Sequence, residues 1–279
     1  MSVRTDSIGP FLRWAGSKRQ LLSVLSAYWS EKHGTYLEPF VGSGCLFFHL
    51  RPTRAILGDI NSELIETYQQ VQCNLAAVKA AVEQLPKGRE GYYQVRALSP
   101  ISLDPHERAA RFIYLNQYAF NGLYRTNKSG VFNVPYGGHK SDPHPPRQAI
   151  EDCSYALSNT TLISGDFALV LEKARPGDFV YMDPPYSVRA QRIFSEYHPL
   201  SFGPSDVQRL RGWMDTLTQR GVEFVVSYAD CEEVDVIAHG YERKSVTVRR
   251  NIAGFVESRR TAREWLISNK AALIRAGVR

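Results

Sequence analysis

The chain has 279 residues, 43% hydrophobic and 22% charged, enough for one large α/β domain or a core carrying a smaller insertion. A formal net charge of +6 and a pI of about 9.1 raise the question of a nucleic-acid partner without answering it. The four cysteines form no C-x-x-C pair, no apolar run approaches the length of a membrane span, and no leader-like segment opens the chain. Zinc ribbons, redox motifs and membrane spans are set aside, and a soluble cytoplasmic protein with reduced thiols is expected.

Phe11–Lys18 (FLRWAGSK) precedes a helical pattern from Gln20 to about Trp29. Thr35–Phe40 (TYLEPF) reads as a short buried strand, Val41–Gly44 (VGSG) as the turn after it and Cys45–Leu50 as a helix. Ala55–Leu57 is another short apolar run ended by Gly58 and Asp59, and Asn61 suits the N-cap of a helix over Ser62–Asn74. From Ala76 to about Asn121 the chain reads as mostly helical. Leu123–Arg147 (LYRTNKSGVFNVPYGGHKSDPHPPR) is loop-rich, basic and aromatic. Alternation resumes with strand Thr161–Ile163, helix Phe167–Ala174, strand Phe179–Met182, helix Ser205–Gln219 and strand Val222–Ser227. Ser245–Val248 and Glu264–Ser268 form a late β pair.

Strands alternating with helices predict a doubly wound, mostly parallel seven-stranded sheet with an antiparallel edge hairpin. The catalytic core is expected over 1–75 and 155–279, with 76–154 inserted between its halves.

Ligands of open α/β sheets sit beyond the carboxyl ends of the strands. One such end carries Pro39, Phe40 and the turn with Gly42 and Gly44, whose missing side chains let backbone approach a ligand. Another carries Asp59, placed to accept from ribose hydroxyls. A third carries Asp166 and Phe167, an acid beside a ring that suits the edge and face of an adenine. Phe47 stands where a dinucleotide fingerprint needs its third glycine, so a nucleoside without a phosphate chain fits better than NAD or FAD. The alternative is that the glycines build a tight turn and Asp59 only ends a strand.

Val180–Ser187 (VYMDPPYS) carries Asp183 to the sheet edge, where Pro184 pushes it toward an extended conformation. Asp183, the Pro184 carbonyl and Tyr186 then suit an exocyclic amino group on a planar base: two acceptors for its N–H groups and a phenol to stack on. Those acceptors localise the lone pair of a poor nucleophile toward a methyl donor, a transition-state effect of about a few kcal/mol. Positioning of the donor in line supplies much of the rest. Asp183 need not be a strong base, because attack makes the nitrogen itself acidic.

FLRWAGSK, YLEPFVGSG, GDIN, YLNQYAFNGLYRTNKSGVFNVPYG, YMDPPY and FVVSYAD, in this order, resemble the Dam-type (D12 class) adenine-specific DNA methyltransferases from about Phe11 to Asn269. The resemblance implies S-adenosylmethionine as methyl donor, no metal, and N6-methyladenine in double-stranded DNA as product. It implies that Trp14 and Lys18 help bind the cofactor, that Pro39, Phe40, Gly42 and Gly44 border it, and that Asp59 holds its ribose. Asp166 and Phe167 meet its adenine, and Asp183, Pro184 and Tyr186 form the catalytic pocket.

On the DNA side it implies base flipping, with Phe120 and Asn121 as inserting residues. Arg125 suits bidentate contact with a guanine, and the resemblance implies that Arg13 lies near a guanine, where relatives often have lysine, and that Leu123 and Pro135 touch apolar base edges such as a thymine methyl. Lys128, Lys140, Arg147, Arg249 and Arg250 are candidates for phosphates, or are plain solvated charges. GATC is the expected target, and the enzyme is expected to act as a monomer. Alternatives are a cytosine N4 or RNA adenine enzyme, the former more often showing Ser where Asp183 stands, or a non-catalytic DNA-binding subunit.

Overall fold

The computed structural model describes residues 8–127, 129–138, 147–185, 202–251 and 259–269. The first helical stretch is broken rather than continuous: a 3-10 turn over Arg19–Leu21, α1 (Leu22–Leu25) and a second 3-10 turn over Ser26–Tyr28. None of the three has a side-chain cap, so packing of Leu21, Leu25 and Tyr28 holds them in place of helical propensity.

The next elements are β1 (Tyr36–Glu38), α2 (Cys45–Leu50), β2 (Ala55–Asp59) and α3 (Ser62–Cys73). Asn61 caps α3 as expected, accepting a hydrogen bond from the Leu64 amide at 3.1 Å, a contribution of about 1 kcal/mol. Three helices follow, α4 (Leu75–Gln84), α5 (Gly88–Ala97) and α6 (Pro105–Tyr118). Pro105 starts α6, and the Glu107 carboxylate accepts from the Asp104 amide at 2.9 Å.

Among the described residues of 119–137 there is no long strand. The segment folds back on itself through two isolated antiparallel bridges, Ala119 with Tyr136 and Thr126 with Phe132. Helix α7 (Arg147–Leu157), which the sequence reading did not anticipate, leads into β3 (Thr160–Ser164), α8 (Ala168–Leu171) and β4 (Phe179–Met182). Then come α9 (Pro204–Gln219), β5 (Glu223–Ala229), α10 (Glu233–Ala238), β6 (Glu242–Asn251) and β7 (Arg259–Ser268).

The strands order as β3-β2-β1-β4-β5-β7-β6 in one seven-stranded sheet. β1 to β5 run parallel and β7 enters antiparallel beside β5, leaving β6 as the outer partner of a ten-pair hairpin. The doubly wound class with a late antiparallel hairpin is therefore the observed fold, and the hairpin strands are longer than predicted.

β1 pairs directly with β4, Tyr36 beside Phe179 and Leu37 beside Val180. Both are buried on both faces, which explains their near-continuous apolar sequences. The chain winds outward in opposite directions from this pair, so the topological switch point lies between their carboxyl ends.

Helices α3, α6 and α7 share one core with the sheet: Tyr68, Phe112 and Cys153 are buried in the same cluster as Tyr36 and Phe179. A separate aromatic cluster, Tyr92, Tyr114, Tyr118 and Phe132, lies under segment 119–137. Among the described residues no helix is long and apolar enough to cross a membrane.

Candidate active site at the carboxyl edge of the sheet

The switch point delivers Glu38-Pro39-Phe40 and Met182-Asp183-Pro184 side by side. Asp183 is half-buried and its carboxylate is already occupied. The Lys18 ammonium lies 2.7 Å from Oδ1 and 2.9 Å from Oδ2, and the Ser227 hydroxyl donates to Oδ1 at 2.9 Å. Ser227 in turn lies 3.0 Å from the Tyr181 hydroxyl.

Lys18, which in isolation would read as a solvated charge, is only 7% exposed. It also donates to the Gly16 carbonyl at 3.0 Å and lies 3.9 Å from Glu264. A buried cation of this kind persists only because acceptors surround it.

Glu38, at the end of β1, is buried and accepts from the Tyr36 hydroxyl at 2.8 Å. Burial pushes its carboxyl well above the ordinary range, and the nearby Asp183 charge pushes the same way. The Tyr36 hydroxyl and the Phe47 amide pull against them. Glu38 and Ser227 escaped prediction; the signal was a polar residue inside an otherwise apolar strand, in TYLEPF and FVVSYAD.

The glycine turn is built from its own acid. Asp59 accepts from the Gly42 amide through Oδ2 and from the Asn61 amide through Oδ1, both at 3.0 Å. Gly42 and Gly44 have φ of 47° and 64°, a region that favours glycine. Trp14 lies on Gly42 so closely that an added Cβ would sit 2.7 Å from its Cδ1. The turn-building reading of Asp59 and the ligand-binding one are thus compatible, because the carboxylate that shapes the turn stands at its mouth.

Beyond β1 and β3, Phe40, Phe167 and Phe202 pack as a trio with centroids 5.3, 5.9 and 6.1 Å apart. Arg209 covers Phe167 at 4.7 Å and binds both oxygens of Asp166. Burial raises the Asp166 carboxyl, but Arg209 and the Ala168 amide outweigh it and leave the group below its ordinary value.

The candidate DNA residues converge on a different face. Arg13 is exposed, and its aliphatic stem lies against Gly122, where an added Cβ would sit 2.4 Å from the Arg13 Cβ. Asn116, buried on α6, clasps the two segments together. Its Oδ1 accepts from the Arg13 amide at 2.8 Å, and its Nδ2 donates to the carbonyls of Arg13 at 2.7 Å and Gly122 at 3.3 Å. Asn116 was also missed, although a polar residue on the core face of YLNQY is its signal.

Phe120 is 44% exposed, and Asn121 beside it holds φ 55°. The Phe120 amide donates to the Pro135 carbonyl at 2.9 Å, which brings exposed Pro135 alongside. Leu123 is half-buried, and Arg125 Nε donates to Asn133 Oδ1 at 2.8 Å.

Of the remaining predicted residues, Arg147 pairs with Glu83 at 2.6 Å. Tyr186, Lys128 and Lys140 lie outside the described residues, as do the side chains of Arg249 and Arg250. No group of three or more His, Cys, Asp or Glu that could hold a metal occurs among the described residues.

Four acids (Glu38, Asp59, Asp166 and Asp183), a glycine turn and an aromatic trio thus line the carboxyl edge of the sheet, with segment 119–137 joined to the turn through the Trp14–Tyr124 stack. Residues 14–252 match the D12 class N6 adenine-specific DNA methyltransferase family. The chain belongs to that family.

It is 33% identical over 272 residues to the DNA adenine methylase of Escherichia coli K12, covering 95% of this chain and 96% of that one. It is likewise 33% identical to the type II methyltransferase M1.LlaDCHI of Lactococcus lactis subsp. cremoris, with 94% and 96% covered. The DNA adenine methyltransferase reading therefore stands, and the cytosine N4 and RNA readings fall away. The family implies S-adenosylmethionine as methyl donor, and the acids, glycine turn and aromatic trio suit it: a ribose diol, an adenine and a cationic methionine part.

Proposed function

We propose that this chain is a site-specific enzyme that flips adenine out of double-stranded DNA at GATC and methylates its N6 from S-adenosylmethionine. The observation that carries this reading is the pairing of β1 with β4, which sets the mouth of the glycine turn beside Asp183. When bound, the cofactor supplies an electrophilic methyl on a sulfonium. All other work falls to the chain.

Trp14 covers Gly42, and Pro39, Phe40 and Gly44 border the cofactor. Asp59 takes the ribose, and Asp166 with Phe167 takes the cofactor adenine. Asp183 accepts one N–H of the flipped base and the Pro184 carbonyl the other, with Tyr186 stacking on the ring.

Lys18 and Ser227 hold the Asp183 carboxylate in place as an acceptor for the substrate amino group. Because methylation makes N6 cationic and its N–H groups stronger donors, the fixed oxygen acceptors of Asp183 and Pro184 favour the product of attack more than the neutral base.

Residues 76–154 act as the target-recognition insertion, and the core comprises 1–75 and 155–279. Arg13, Phe120, Asn121, Leu123, Arg125 and Pro135 meet the DNA. Phe120 and Asn121 stand exposed at the tip, as residues that fill the gap left by a flipped base must. The protein works in the cytoplasm as a monomer.

Single-molecule methylome sequencing of plasmid from a methylation-deficient host expressing the chain tests all of this. N6-methyladenine confined to GATC is expected. Methylation in another sequence overturns the specificity, and absence of N6-methyladenine overturns the activity.

A further inference from the structure

Tyr124 stands in the recognition segment between Leu123 and Arg125, yet its contacts belong to the cofactor turn. Its ring stacks on Trp14 with centroids 6.0 Å apart and planes 19° from parallel. Phe112 of α6 and Phe132 of the returning segment pack on it at 5.2 and 5.7 Å. Its hydroxyl donates to Glu63 Oε2 at 3.1 Å and is also hydrogen-bonded by the Asn61 side chain. Both partners belong to the start of α3, immediately after Asp59.

These contacts close a circuit. Asp59 holds the amides of Gly42 and Asn61; Gly42 lies under Trp14; Trp14 stacks on Tyr124; and Tyr124 returns to Asn61 and Glu63. One member of the circuit is the expected ribose acceptor. Another lies next in the chain to the expected base reader Arg125, whose carbonyl accepts from the Asn133 amide at 3.1 Å.

A packing residue alone would need no hydroxyl. Burial, followed by the Glu63 charge, pushes the phenol well above its ordinary value, so it remains a donor throughout the working pH range.

We propose that Tyr124 is a positioning residue that couples occupancy of the cofactor turn to the seating of the recognition segment on DNA. A ligand that fixes Asp59 and Gly42 fixes Trp14, Asn61 and Glu63, and with them the ring from which Arg125 is aimed. By linkage the effect is reciprocal: DNA on the recognition segment tightens the cofactor turn by the same factor. The inference rests on the functional reading above.

The test is a titration of the full chain with S-adenosylhomocysteine, alone and with a saturating duplex carrying the sequence the wild-type protein methylates. The wild-type affinity ratio is expected to be about fivefold or more. Tyr124→Phe keeps the ring and removes the hydroxyl, and Glu63→Ala removes the acceptor; each should bring the ratio below about twofold. Glu63→Gln, whose amide oxygen still accepts, should restore it.

A merely structural role would lower the melting temperature and weaken both ligands while leaving the ratio intact. If Tyr124→Phe does not fold, Glu63→Ala and Glu63→Gln decide the matter. A wild-type ratio of one, or ratios unchanged in the variants, overturns the coupling while methylation itself survives. A wild-type chain that puts no methyl on adenine overturns the functional reading first, and the coupling with it.

Discussion

Asp183 at the end of β4 and the segment 119–137 are held by different means. Lys18 and Ser227 both bond the Asp183 carboxylate, and Tyr181 backs Ser227. Lys18 and Tyr181 are buried, and Ser227 is fully so. Segment 119–137 is held by isolated bridges, the Asn116 clasp, the Tyr124 ring and bonds from Tyr92 and Arg96 to the Val134 carbonyl, with no long strand among its described residues. Most of its candidate DNA residues are exposed or half-exposed.

The contrast follows from what each region must do. Transition-state stabilisation needs acceptors fixed before the substrate arrives. Reading a base sequence needs side chains that stay in water until DNA replaces it. A change in the corner should therefore destroy turnover on every sequence, whereas a change on the segment should alter which sequence is used.

The largest effect is expected at the corner. Asp183→Asn should lower methyl transfer about 10²–10³-fold while duplex binding, followed by fluorescence anisotropy, stays near wild type. Asn is preferable to Ala because it still accepts from Ser227. Removing the carboxylate also deprives the Lys18 ammonium of its closest partner, and breaking a buried pair costs about 3–5 kcal/mol. Near-normal turnover would remove Asp183 from the mechanism.

Asn116→Ala comes next and acts on the frame of the recognition face. It leaves the Arg13 amide and carbonyl and the Gly122 carbonyl without this partner, and an unsatisfied buried group costs about 1–3 kcal/mol. A lower melting temperature together with weaker binding to all duplexes is expected. Loss of discrimination at unchanged stability would instead place Asn116 among the base readers.

Asn116 also marks where sequence reading stopped. The fold was legible because β1, β4 and β5 are short, mainly apolar runs, and Asp59 and Asp183 each stand at a strand end, where chemistry is expected. Asn116 and Ser227 were not legible, because the partners that fix them, Arg13 and Asp183, lie far along the chain, and Glu38 was not, because its burial beside Tyr36 appears only once the sheet is formed. Only the folded contact separates such a residue from an ordinary surface position. Helix α7 was hidden for another reason: it follows a His- and Pro-rich tract that reads as loop, and its buried face is limited to Ile150, Cys153 and Leu157. The first helix was overread, because an apolar spacing without a cap produced short turns in place of one continuous helix.

Among the exposed readers, Arg125→Ala should cost about 1–3 kcal/mol of discrimination at one base position. Methylation rates on a panel of single-base variants of the target would show it. Uniform weakening across the panel would make Arg125 a phosphate contact, and the division between a reading face and a chemical corner would lose its sharpest example.

The smallest effect concerns the charge of the corner. The Glu38 carboxyl is raised well above the ordinary range, first by burial and then by Asp183, so the folded chain retains a proton that the unfolded chain releases. Stability contributed by this group is therefore present below the unfolded carboxyl pKa and declines as pH rises from there toward the folded value. Glu38→Gln cannot titrate. Its stability relative to wild type should rise between about pH 5 and about pH 8, by at most about 1.4 kcal/mol per pH unit, as read by chemical denaturation at several pH values. A pH-independent difference would mean that Glu38 is ionised in the folded chain. The corner would then hold two carboxylates against one ammonium, and Lys18 would be shared between them in place of serving Asp183.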